Sequence, residues 1–135
     1  MDAPLQDVAR ACLAGAESGT MTFGQIVGAL EAAGFEGYQV DLRAGTAAYY
    51  LPSGESLSLA AARPAVADAP RFDRDAVVEA IRSAQRGDPG YSYLGFCATV
   101  ARAGCVGYLV SFPGRRVVYV GRTGETHTEH FPGQA

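Results

Sequence analysis

The chain of 135 residues contains no tryptophan and only three cysteines, and no apolar run in it reaches the roughly 18 residues that a membrane helix needs. The three cysteines are Cys12, Cys97 and Cys105. Their odd number argues against a disulfide framework, and the lack of a CxxC pair argues against a zinc site. The N-terminal residues MDAPLQDV lack the regions of a signal peptide. We therefore expect a cytoplasmic protein without a metal or other cofactor.

An excess of positive charge is also missing. Eleven Lys and Arg residues stand against 14 Asp and Glu, giving a net charge of −3. Non-specific nucleic-acid binding needs a broad basic surface that releases counterions from phosphates. We therefore expect neither a nucleic acid nor a membrane as a partner. The length and the 48% hydrophobic content predict one globular domain covering residues 1–135.

Two stretches, residues 21–61 and 91–131, resemble each other without gaps at an offset of 70 residues. Eight pairs are identical: Ala33/Ala103, Gly34/Gly104, Gly37/Gly107, Tyr38/Tyr108, Val40/Val110, Tyr49/Tyr119, Gly54/Gly124 and Glu55/Glu125. We infer an internal duplication with halves at about 1–59 and 71–131. The Ala/Pro-rich residues 60–70 form the predicted linker.

Helices are expected to open each half. Residues 4–17 form the first predicted helix, which should end near Ala16 because Gly15 and Gly19 weaken it. Thr22 and Gln25 then have the spacing of a capping box. Apolar residues follow at helical spacing, and Gly34 stands where a left-handed C-terminal cap belongs. The second half repeats this pattern, ending at Gly104.

Three strands should follow each helix pair. Tyr38, Val40 and Leu42 alternate with polar residues, as a half-buried strand requires, and turn sequences separate two further strands. We predict an α+β fold of two pseudo-symmetric α-α-β-β-β repeats, with an antiparallel sheet and helices packed mainly on one face. How the two sets of strands join is left open.

Four segments carry a family resemblance: AGFEGYQVDL, IRSAQRG, FCATVARAGCVGYLV and VVYVGRTGETHTEHFP. Together they resemble the YbcV/YdfO-like family of small bacterial proteins of unknown function, sometimes labelled phage envelope protein. The similarity spans about residues 21–132. It implies a compact α+β domain and an association with prophage genes, and it transfers no catalytic residue.

Polar residues replace apolar ones in the last strand of the second half. His127 and Glu129 fall on Leu57 and Leu59 of the first half, and residues two apart on a strand share a face. They are therefore candidates for a metal or acid–base site. The alternative, which we favour, is a solvent-exposed edge strand or a slip in register.

Two further groups are candidate sites. Glu55 and Glu125 follow equivalent turns, so their carboxylates could meet across a pseudo-twofold axis, although solvated or capping roles are commoner. Four tyrosines should line the packed face of the sheet, with an aromatic ligand groove as the alternative; they are Tyr38, Tyr49, Tyr108 and Tyr119. Cys97 and Cys105 occupy apolar positions and should be core residues.

The sequence favours a non-enzymatic binding or interaction module that forms a homodimer. The uncharged residues 56–62 are poorly protected if they form an edge strand, so we expect them to be central in the sheet or covered by a symmetric partner. The alternative function is a small metal-dependent or acid–base enzyme that uses His127 and Glu129. No small-molecule ligand is identified by a motif.

Overall fold

The computed structural model describes residues 1–64, here the first half, and residues 71–132, the second half. The first half contains α1 (Ala3–Ser18), α2 (Phe23–Ala33), β1 (Gly37–Asp41), β2 (Thr46–Tyr50) and β3 (Ser56–Ala60). The second contains α3 (Arg74–Arg86), α4 (Tyr93–Arg102), β4 (Cys105–Ser111), β5 (Arg116–Gly121) and β6 (Thr126–His130). The predicted α+β class and the repeated α-α-β-β-β order are confirmed.

The ends of α1 and α2 can be compared with the caps that the sequence predicts. The capping box at α2 is present, since the Thr22 amide donates to the Gln25 side chain and the Gln25 amide donates to the Thr22 hydroxyl. The prediction that α1 ends near Ala16 is wrong by two residues. Gly15 lies inside the helix, where the Met21 side chain occupies the space that a Cβ would need. The left-handed cap is Gly19, with φ of 75°.

All six strands form one antiparallel sheet in the order β3-β2-β1-β4-β5-β6. The two halves join through β1 and β4, which settles the point that the sequence left open. Gln39 faces Leu109, its own counterpart at the offset of 70 residues, and Tyr38 faces Val110. A pseudo-twofold axis therefore passes through the Gln39–Leu109 pair, and rotation about it places each residue of β1 on its counterpart in β4. The duplication thus appears as symmetry at the centre of the sheet.

The helices cover one face of this sheet, and the hydrophobic core lies between them. Strand residues alternate between buried and more exposed positions. Among the described residues the core contains no fully buried polar or charged side chain. The opposite face is more open: Leu109, at its centre, leaves 40% of its surface to solvent. The predicted one-sided packing of helices is thus observed.

The strand order places β3 and β6 at the two edges of the sheet. One of the two alternatives for the uncharged third strand, a central position, is therefore wrong. The repeats join through their first strands, which leaves both third strands outermost. Cover by a symmetric partner stays a prediction. The predicted linker overlaps β3 at Ala60, and its residues 65–70 lie outside the described part of the chain.

Candidate functional site between α3 and β6

β6 and α3 bring three charged or polar side chains together beside one edge of the sheet. His127 and Glu129 share the face of β6 that points towards the helices, and their side chains are only 19% and 16% exposed. Arg82 reaches them from α3 with a side chain that is 43% exposed. Thr128, between the two inward residues on the strand, is exposed. The face shared by His127 and Glu129, predicted from their spacing, is thus the helix-covered face.

Glu129 is the centre of a short hydrogen-bonded chain. One nitrogen of Arg82, Nη1, lies 2.5 Å from Glu129 Oε1 and also donates to the side-chain oxygen of Gln85 at 3.0 Å. The other carboxylate oxygen, Oε2, lies 3.0 Å from His127 Nε2. The His127 ring stacks on Tyr119 with 6.4 Å between ring centroids. Each polar side chain is therefore oriented by a neighbour on a different element or by an adjacent ring.

The charge state of Glu129 follows from these contacts. Burial by itself would raise the pKa of its carboxyl group, but hydrogen bonds and opposite charge from Arg82 and His127 outweigh it and hold the pKa below the ordinary value. Glu129 is therefore ionised at neutral pH. It fixes the guanidinium of Arg82 on one side and the imidazole of His127 on the other.

An open cleft of about 630 Å³ lies over this chain of contacts. Its lining combines Arg82, Gln85, His127, Thr128, Glu129, His130, Phe131 and Pro132. Arg82 makes both of its hydrogen bonds through Nη1, so within the described residues its Nε and Nη2 have no hydrogen-bond partner. A guanidinium group carries five N–H donors in a rigid fork. Donors of Arg82 therefore stay available at the cleft.

The predicted pair of carboxylates, Glu55 and Glu125, is not brought together. Glu55 follows the turn before β3 and Glu125 the turn before β6, so the two carboxylates lie beside opposite edges of the sheet. Glu55 forms an ion pair with the amino group of Met1 at 2.6 Å. Glu125 accepts a hydrogen bond from the Thr123 hydroxyl group. Both therefore have separate local partners, and no shared acidic site forms at these positions.

The four predicted tyrosines lie side by side across the centre of the sheet. Tyr38 stacks on Tyr49 with 5.3 Å between ring centroids, and Tyr108 lies 5.6 Å from Tyr119. None is more than 7% exposed. Burial raises the pKa values of the Tyr38 and Tyr108 hydroxyl groups well above the ordinary value. The rings line the packed face of the sheet, so a ligand would have to displace core packing to reach them.

The cysteines are poor nucleophiles in this environment. Cys97 and Cys105 are 3% and 2% exposed, as predicted for core residues, and Cys12 is also buried. Burial raises the pKa of the Cys97 thiol to about 11, which disfavours the reactive thiolate. Residues 1–64 and 71–132 contain no group of three or more His, Cys, Asp or Glu side chains that could hold a metal ion.

Arg82 is the site residue that sequence reasoning missed. It follows Ile81 in α3 and lies 47 positions before Glu129, so no local pattern links the two. An indirect signal was present: a carboxylate at an inward strand position needs a partner. A basic residue next to the apolar stripe of the covering helix was the candidate to supply it.

Comparisons with known proteins give distant relatives that are themselves uncharacterised. No family model matches the chain. Uncharacterised proteins of Mycobacterium bovis and Mycobacterium tuberculosis are 39% identical to it over 66 residues. The matched stretch is 49% of this chain and 39% of each relative, so the chain matches less than half of their length. None of the helices in the described ranges is long and apolar enough to cross a membrane.

Proposed function

We propose that this protein is a non-enzymatic binding module and that the cleft between α3 and β6 is its ligand site. The ligand class is a small molecule with a carboxylate or phosphate group. The observation that carries the proposal is the guanidinium of Arg82 at the cleft, which is fixed through Nη1 while Nε and Nη2 have no hydrogen-bond partner among the described residues. Arginine forks bind planar carboxylates and phosphates through two parallel hydrogen bonds.

The orientation of Arg82 matters more than its charge. A free arginine side chain loses rotamer entropy when it binds an anion, whereas Glu129 and Gln85 already restrict this one. Glu129 also balances the positive charge, so the site is a directed donor pair rather than a broad basic surface. Recognition is therefore expected to depend on the geometry of the anion.

The rest of the cleft suits a ligand body that is partly apolar. Phe131 is held by an edge-on contact with Phe23 at 5.6 Å and by the guanidinium of Arg115, 4.8 Å above its ring. The exposed Pro132, with the 6% of Phe131 that solvent reaches, gives the cleft a small apolar edge next to the polar group of Arg82. Ligand sites commonly combine an apolar lining with a few placed polar groups.

A titration with four probes tests this function: inorganic phosphate, phenyl phosphate, benzoate, and benzylamine as the charge-reversed compound. Backbone and arginine side-chain NMR signals are followed during each titration. The anions should shift signals of Arg82 and β6, and phenyl phosphate should bind more tightly than inorganic phosphate. Arg82→Gln should weaken anion binding at least about tenfold, since a charged hydrogen bond is worth roughly 1.5–3 kcal/mol.

The matched control is Arg86→Gln. Arg86 lies one turn further along α3, is exposed, and pairs with Glu79 and Asp88 away from the cleft. This variant should bind anions as the wild type does. Equal losses in both variants, or benzylamine binding as tightly as phenyl phosphate, would overturn the proposal. Because Arg82→Gln removes one partner of Glu129, the double change Arg82→Gln with Glu129→Gln separates loss of binding from loss of folding.

The hydrogen bond between His127 and Glu129 supports a second candidate, acid–base catalysis. A carboxylate that accepts from one ring nitrogen orients an imidazole so that the other nitrogen can take a proton. The test is turnover of a panel of esters and phosphate monoesters by the wild type and by His127→Gln. Turnover by the wild type that His127→Gln abolishes would support an enzyme. No turnover by the wild type on any compound of the panel would favour the binding module.

The resemblance to a known family suggests the biological context of this protein. The uncharacterised mycobacterial relatives give no family assignment. We propose that the chain belongs to the YbcV/YdfO-like proteins, is associated with prophage genes and acts in the cytoplasm. The repeat patterns around Gly34 and Gly104 support the family proposal. A structure of a family member with a different strand order would contradict it.

A further inference from the structure

The two edges of the sheet are protected to very different degrees. At β6, Arg74 donates a hydrogen bond of 2.7 Å from Nη2 to the carbonyl oxygen of Thr126, and the strand carries His127, Glu129 and His130. At β3 the sequence is SLSLA, without a charge. Proteins usually guard an edge strand with charge, proline, a bulge or a covering element. Within residues 1–64 and 71–132, the β6 edge has such protection and the β3 edge does not.

The free backbone groups of β3 can be assigned from its ends. The Leu51 amide donates to the carbonyl of Glu55, and the Ala61 amide donates to the carbonyl of Gly45. Alternate residues of an antiparallel strand point their N–H and C=O groups to the same side. Leu57 and Leu59 therefore bond to β2, as Glu55 and Ala61 do. The remaining three strand residues, Ser56, Ser58 and Ala60, direct their backbone groups away from the sheet.

This free edge is bounded at both ends. Beyond β3, the amide of Ala62 donates to Glu17 Oε2 at 2.7 Å, so the next outward donor is already satisfied. Before β3, the carboxylate of Glu55 is held by the amino group of Met1. A short, uncharged row of backbone donors and acceptors remains between these two contacts, without a partner among the residues that the structure describes. This row has the length of one strand.

We propose that β3 pairs antiparallel with β3 of a second copy, about a twofold axis at Ser58, to form a continuous sheet of twelve strands. In this register Ser58 faces Ser58 of the other copy, and Ser56 faces its Ala60. All three outward residues of both strands then exchange hydrogen bonds, about six in total. On the helix-covered face, Leu57 of each copy meets Leu59 of the other. Leu57 is only partly buried in the single chain, so the pairing buries additional apolar surface.

A second copy is favoured over another partner because the edge is complementary to itself. Ser56, Ser58 and Ala60 are small, and none of them carries a charge that would repel its counterpart across the twofold axis. A partner of different sequence would gain no ion pair from β3 to select it. One strand pair is a small interface, below the roughly 1,000 Å² of stable complexes, so the dimer should depend on concentration.

The internal duplication supplies a matched pair of variants. Thr128 of β6 is the counterpart of Ser58, and both are exposed on edge strands. Sedimentation velocity across a concentration series should show that the wild type and Thr128→Lys dimerise while Ser58→Lys stays monomeric. Ser58→Pro removes only an outward N–H group and should also weaken the dimer while retaining the pairing with β2. Circular dichroism identifies a variant that has failed to fold.

Amide hydrogen exchange tests the register. In the wild type, the amides of Ser56, Ser58 and Ala60 should gain protection as the protein concentration rises, whereas those of Leu57 and Leu59 should be protected at all concentrations. A wild type that is monomeric at every concentration would overturn the proposal. So would a dimer that leaves these three amides unprotected, or one that Thr128→Lys disrupts as strongly as Ser58→Lys. The ligand cleft beside β6 is at the opposite edge from β3, so loss of the dimer in Ser58→Lys and loss of anion binding in Arg82→Gln are separate outcomes.

Discussion

At the scale of single residues, the duplication allows one sequence position to be compared in two different structural surroundings. Gly34 and Gly104 are counterparts, and both adopt a left-handed conformation, with φ of 104° and 88°. A Cβ at Gly34 would meet no atom within 4 Å. At Gly104 it would lie 2.3 Å from the carbonyl oxygen of Arg71. The same backbone requirement thus occurs once in open space and once against another segment.

We therefore expect unequal costs from the same substitution. Gly34→Ala should lower the free energy of unfolding by about 1 kcal/mol, the usual cost of a Cβ in this conformation. Gly104→Ala should cost at least about 2 kcal/mol, because the backbone at Arg71 must also move. Urea unfolding of both variants gives the comparison. Equal losses would show that the close approach at Arg71 does not constrain the chain.

At the scale of elements, β3 and β6 show how one strand pattern diverged after duplication. Leu57 and Leu59 serve the core in the first half, while His127 and Glu129 form a bonded pair with Arg82 in the second. Apolar residues at such positions often stabilise a fold as well as a partly buried ion pair does, or better. The polar pair is therefore more readily explained by binding than by stability.

The variant His127→Leu with Glu129→Leu restores the residues of the first half and should be at least as stable as the wild type at neutral pH. The pH dependence should differ. The folded pKa of Glu129 is lowered, so its stabilising contribution is complete above the ordinary pKa of 4.5 and is lost as pH falls through the folded value. Denaturant midpoints measured from pH 7 downwards should fall less steeply in the variant. Parallel curves would contradict the assigned role of Glu129.

At the scale of the whole molecule, the pairing of β1 with β4 makes two incomplete halves into one sheet. Each half presents its first strand to the counterpart strand of the other, with Gln39 facing Leu109. A half on its own would leave this strand as a second exposed edge. The pseudo-twofold relation makes the strand complementary to its own copy as well as to its counterpart.

Residues 71–132 produced alone should therefore fold only as a dimer, with β4 paired to β4 of another copy and Leu109 facing Leu109. The second half is the better choice because its other edge, β6, is already protected by Arg74. Sedimentation and circular dichroism at increasing concentration should show association and folding together. Addition of residues 1–64 should replace the homodimer by a complex of both halves. A folded monomer of residues 71–132 would refute this expectation.

The sequence by itself determined the local structure of this protein. Helix caps, the helical and strand periods and the turns are set by residues within a few positions of one another, and each of these predictions needed only that range. The duplication followed from identical residues at a constant offset of 70 positions. The one local error, the end of α1, came from Gly15, whose contact with Met21 comes from the turn after the helix. The shared face of His127 and Glu129 followed from spacing alone.

Only the tertiary structure decided which strands lie at the edges and which side chains meet. An alternating pattern fixes the face of a strand but not its neighbours, so the joining of β1 to β4 and the exposure of β3 could not be deduced from it. The separation of Glu55 from Glu125 follows from the same strand order. Arg82 meets Glu129 across 47 residues because α3 packs over β6, and such contacts depend on the whole fold rather than on any local segment.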